Sequence, residues 1–87
     1  MIHILDAIMR HSEENGYAGQ THFEVTGHKK PYEITLFSKK GEDWEYSLHF
    51  LHEPGSEEEI LALEDELEEN DELFGQLVEA AMKKVKE

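Results

Sequence analysis

An α+β domain is expected from this chain on three grounds. Apolar and polar residues alternate with period two through the middle of the sequence. A 3.6-residue apolar period marks both ends. Clusters of turn-forming residues, Gly27-His28-Lys29-Lys30-Pro31, Lys39-Lys40-Gly41-Glu42-Asp43 and Glu53-Pro54-Gly55, separate the periodic stretches. The length of 87 residues allows one domain spanning 1–87. The expected architecture is a three-stranded antiparallel β-meander covered on one face by an N-terminal helix and by one long or two short C-terminal helices. The order is then α-β-β-β-α-α.

The first element is read as a helix from about Ile2 to Asn15. Met1, Leu5 and Ile8, with Ile2 and Met9 beside them, follow the helical period. Asp6, Arg10, Glu13 and Glu14 fall largely on the other side, and Gly16 stands where a left-handed C-terminal cap belongs. Strands are then expected over Thr21–Val25, Tyr32–Phe37 and Trp44–Phe50, the last with the clearest alternation. One face would carry Phe23, Val25, Tyr32, Ile34, Leu36, Trp44, Tyr46, Leu48 and Phe50, and only helices can cover it.

The C-terminal helical stretch, within 57–86, opens on Ser56 and Glu59 in a capping-box pattern. Ile60, Leu67, Phe74 and Ala81 recur every seven residues, which keeps the apolar stripe in phase. An unbroken helix of about 30 residues would be about 45 Å long. That overhangs a sheet of about 30 Å. Asn70 could instead cap a second helix with Asp71 and Glu72 in its first turn. A break near 69–71 is favoured. Lys83, Lys84 and Lys86 suit a helix C-terminus. The expected core includes Leu5, Ile8, Phe23, Val25, Ile34, Leu36, Tyr46, Leu48, Phe50, Leu63, Leu67, Phe74, Leu77, Val78 and Ala81.

Charge and composition restrict function. With 8 Lys+Arg against 21 Asp+Glu the net charge is −13, which repels nucleic acid and anionic membranes alike. The charge is localised. Residues 1–41 are balanced, whereas 42–87 hold sixteen acids against three bases. The absence of cysteine removes disulfides, thiolate metal sites and thiol catalysis. The longest apolar run, Ile60-Leu61-Ala62-Leu63, is far too short to span a bilayer. Met1-Ile2-His3-Ile4-Leu5-Asp6 shows no signal-peptide pattern, so a soluble cytoplasmic protein is expected. No phosphate-binding loop and no nucleophile motif occurs, and no cofactor is expected.

Three places could carry function. If tight turns close both hairpins, Glu24 faces Glu33 and Glu33 faces His49, with His22 opposite Thr35. Glu24, Glu33 and His49 would then form a row on the polar sheet face, a weak candidate for divalent-metal binding or acid–base work. That row depends on register. Phe37 and Leu51 would be apolar residues on the same outer face, which suits self-association or partner binding. Glu64, Asp65, Glu68, Glu69 and Glu72 belong to a stretch, Glu53 to Glu72, with eleven acids and no base. Such a stretch is either a solvated face or a footprint for a basic partner. The functional classes are, in order, a non-catalytic interaction or regulatory module able to form a homodimer; an acidic decoy or inhibitor of a basic protein, a nucleic-acid-binding protein being one candidate; and a metal-dependent or acid–base enzyme using Glu24, Glu33 and His49.

Overall fold

The computed structural model describes residues 1–86 and, of Lys86, the backbone alone. Four antiparallel strands form the body of the sheet: β1 (Ile2–Ser12), β2 (Gly16–Val25), β3 (Tyr32–Ser38) and β4 (Glu45–Phe50). Two helices follow, α1 (Glu57–Glu69) and α2 (Asp71–Met82), and then the two-residue strand β5 (Val85–Lys86). The strand order is β4-β3-β2-β1-β5, with β5 parallel to β1. The α+β class, the antiparallel sheet and the C-terminal helices agree with expectation. The N-terminal helix does not exist; that segment is a strand, so the meander has four long strands rather than three.

A β-bulge accounts for the helix-like spacing of this segment. β1 pairs with β2 from Ile2↔Val25 to Ser12↔Gly16, and the register shifts between Ile4 and Asp6. The extra residue moves the alternation by one position. Ile2 packs against the core before the bulge, and Ala7 and Met9 do so after it. A strand whose inward residues jump phase leaves apolar residues at mixed spacings that imitate a helix. Leu5 and Ile8, expected in the core, are 49% and 37% exposed. Gly16 does hold a positive φ of 80°, but in a hairpin turn rather than a helix cap. The Asn15 N–H donates to Ser12 Oγ at 3.0 Å and closes that turn.

The β3–β4 register is as expected, with Phe37↔Glu45 and Glu33↔His49. The β2–β3 register differs by two residues: Phe23 faces Tyr32 and His22 faces Glu33. The connection is longer than a tight turn. Thr26 does not pair with Pro31; the Thr26 N–H donates to the Met1 carbonyl and the His28 N–H to the Val25 carbonyl. Ring contacts of Tyr32 across the sheet, tilted against Phe23 and stacked on Phe50 with centroids 5.7 and 5.6 Å apart, favour the observed alignment. A two-residue shift leaves every side chain on its expected face while changing its neighbour.

Both helices lie on one face of the sheet, α1 against β4 and α2 against β1 and β2. Between the layers are the buried Met9, Phe23, Tyr32, Ile34, Leu36, Leu48, Ile60, Leu63, Leu67, Leu77 and Ala81. Val25, Tyr46, Phe50, Phe74 and Val78 pack around them half-buried. The buried Thr21 hydroxyl donates to the Leu77 carbonyl at 3.0 Å, a polar tie between sheet and α2. Ser56 caps α1 by accepting from the Glu59 N–H at 3.3 Å. The Glu59 carboxylate does not complete the capping box; it accepts from the Lys29 N–H at 3.0 Å and ties the β2–β3 connection to the helix.

Asn70 divides the helical stretch. Its backbone is extended, its N–H donates to the Glu66 carbonyl, and its side chain accepts from the Leu73 N–H at 3.1 Å. The longest dimension of the molecule is 38 Å, shorter than one continuous helix of about 45 Å. Contrary to the expected helix end, α2 stops at Met82, and Val85 and Lys86 pair with Met9 and Arg10.

Candidate functional site

The helices leave one face of the sheet open, and the strands bring polar side chains into rows across it. One row runs Asp6, His22, Glu33, His49 across β1 to β4. His22 Nε2 and Glu33 Oε2 are 2.9 Å apart and part-buried. His49 Nε2 lies 2.9 Å from Ser47 Oγ on the same strand. Asp6 Oδ1 accepts from the Ala7 N–H at 2.9 Å, at the bulge. Acid and imidazole therefore alternate along the row, and the facing glutamates expected from the tight-turn register are absent.

Glu24 is not part of this row. It pairs with His3 on β1, while Glu33 and His49 stay opposite one another. Among the described residues no three His, Asp or Glu side chains gather as a metal ion would require. Sequence reasoning missed Asp6 and His22 as members of the row. The Asn15-Gly16 pair before an alternating stretch was the available signal for the β1–β2 hairpin that brings Asp6 in.

Apolar residues share the open face. Phe37 is 39% exposed and faces Ala18 on β2, which in turn faces Arg10 on β1. Ile8 faces Gln20 one row away and is nearly as exposed as Phe37. Leu51 lies beyond β4, half-buried, with its N–H donating to the Pro31 carbonyl at 3.0 Å. β5 pairs with β1 only at Met9 and Arg10, so among the described residues the outer edge of β1 is unpaired from Ile2 to Ile8. Ile4 and Leu5 are exposed along it.

The acidic residues occupy the helical layer in separate places. Glu64 and Glu68 of α1 lie near the Tyr46 side chain. Burial first, and then Glu68 and Glu64, hold the Tyr46 hydroxyl above its ordinary range. Asp65 and Glu69 line a depression at the α1–α2 junction with Glu66, Asn70 and Asp71. Glu72 lines an adjacent groove. Lys30 pairs with Glu53 at 2.9 Å, and that contact holds the Glu53 carboxyl below its usual range. No described helix is long and apolar enough to cross a membrane. Comparison with protein-family models, curated proteins and solved structures finds no match for this chain.

Proposed function

We propose that this chain is a small non-catalytic interaction module that docks through the open face of its sheet, with a second copy of itself as the first partner. The observation that carries the reading is the uncovered face with Ile8 and Phe37 exposed on it. An antiparallel sheet can leave one side to water, but its large apolar residues gain from cover. Of the two sides of the sheet, the open face is the less acidic. The excess of acid lies in 42–87, chiefly on the helical layer, whereas Arg10 and three histidines accompany the carboxylates of the open face. Packing two open faces together, about 10 Å apart, places both acidic helical layers on the outside. The same charge speaks against nucleic acid and anionic membranes as partners.

Sedimentation equilibrium of the full chain tests this. A dimer is expected, converted to a monomer by Phe37→Glu with Ile8→Lys, with the circular dichroism spectrum unchanged. A wild-type monomer over the accessible concentration range rules the self-association out.

A further inference from the structure

A groove of about 210 Å³ lies where the start of β1 meets the α1–α2 junction. Met1, Ile2, Val25, Leu63 and Leu73 supply its apolar side chains, and Glu66 and Glu72 stand among its polar residues. Glu66 and Asn70 also line the neighbouring depression, so the two are continuous. That depression adds Asp65, Glu69 and Asp71. No Lys, Arg or His lines either hollow. The ion pairs His22–Glu33, Lys30–Glu53 and Lys83–Glu79 lie elsewhere.

We infer that this groove binds a basic protein segment that presents one large apolar side chain beside lysine or arginine. The groove has room for one such side chain against Ile2, Val25 and Leu73. No described Lys, Arg or His side chain lines the groove beside these carboxylates, so they favour positive charge within a turn of that anchor. An acidic segment is repelled. A purely apolar one would bury carboxylates without partners. A purely basic one would leave Ile2, Val25 and Leu73 in water. Complementarity of this kind raises the association rate and makes it sensitive to salt. The groove is on the helical side of the sheet, away from Ile8 and Phe37, so the inference does not depend on dimer formation.

The test is a titration of the ¹⁵N-labelled full chain with two capped peptides, one with a single leucine between paired lysines and one with serine in its place. The leucine peptide is expected to shift the amide signals of Ile2, Val25, Leu63 and Leu73. It should bind about tenfold more tightly than the serine peptide, from the burial of one apolar side chain. Glu66→Lys with Glu69→Lys, both at exposed positions, should weaken it about fivefold or more while circular dichroism stays unchanged. Equal binding of the two peptides, shifts confined to the outer side of α1, or undiminished binding by the charge-reversed chain would each overturn the inference. So would groove signals that move with the protein's own concentration, which would assign the groove to a second copy. Loss of the dimer through Phe37 and Ile8 leaves all of these readouts unchanged.

Discussion

A methyl group added at Gly19 would meet the Ile8 carbonyl oxygen and the Met9 Cα, both backbone atoms of the neighbouring strand. Neither can move without opening the β1–β2 ladder. Gly19→Ala should therefore cost about 1–3 kcal/mol, the usual range for overpacking. Gly75 is the opposite case. It sits inside α2 with nothing within 4 Å of an added Cβ, so Gly75→Ala should stabilise by about 0.5–1 kcal/mol through helix propensity. Urea denaturation of the pair checks both signs in one series. Two tyrosines give a pH prediction. Burial, then Glu59, raises the Tyr32 hydroxyl above its ordinary value near 10, and Tyr46 is raised as well. The unfolded chain thus loses these protons first. Their contribution is intact below pH about 10 and fades as pH rises through the folded values. Ultraviolet titration should show Tyr32 and Tyr46 ionising late, with stability falling over that alkaline range.

At the level of elements, Asn70 is the residue on which the helical layer turns. It ends α1 through its backbone and starts α2 through its side chain. Asn70→Ala removes the side-chain acceptor for the Leu73 N–H and should cost about 0.5–2 kcal/mol, measured by the shift of the urea midpoint. Leu77→Ala should cost more, about 2–5 kcal/mol, because Leu77 is fully buried in the layer that joins α2 to the sheet. The Asn70 cap was legible in the sequence because a cap is a local arrangement of side chain and nearby N–H groups. The first strand was not. Its alternation is interrupted at Leu5, and the partner that makes it a strand lies across a hairpin. A strand acquires its backbone partners only through pairing, whereas a helix carries them within its own segment.

The whole molecule is polarised. One side is a strongly acidic helical layer; the other is an open sheet face where His22 pairs with Glu33 and Phe37 is exposed. Self-repulsion at a net charge of −13 opposes the compact state, and salt screens it over a Debye length of about 10 Å at 0.1 M. The melting temperature should rise as sodium chloride is added from 10 to about 200 mM. A fall over that range would mean that favourable ion pairs outweigh the repulsion. Apolar association through Phe37 and Ile8 should survive the same salt, whereas binding in the Glu66–Glu72 groove should weaken.

From residue order alone came the inward faces of β3, β4 and the second half of β2, the β3–β4 register, the break at Asn70 and the concentration of acid beyond residue 41. Each follows from period, turn chemistry or charge read along a short stretch. Tertiary structure decided that residues 2–12 form a strand, that β2 and β3 align Phe23 with Tyr32, and that His22 rather than Glu24 meets Glu33. Period two specifies which face a side chain takes but leaves alignments two residues apart equivalent. Choosing among them requires contacts between distant segments: the ring contacts of Tyr32 with Phe23 and Phe50, and the β1 strand beside β2.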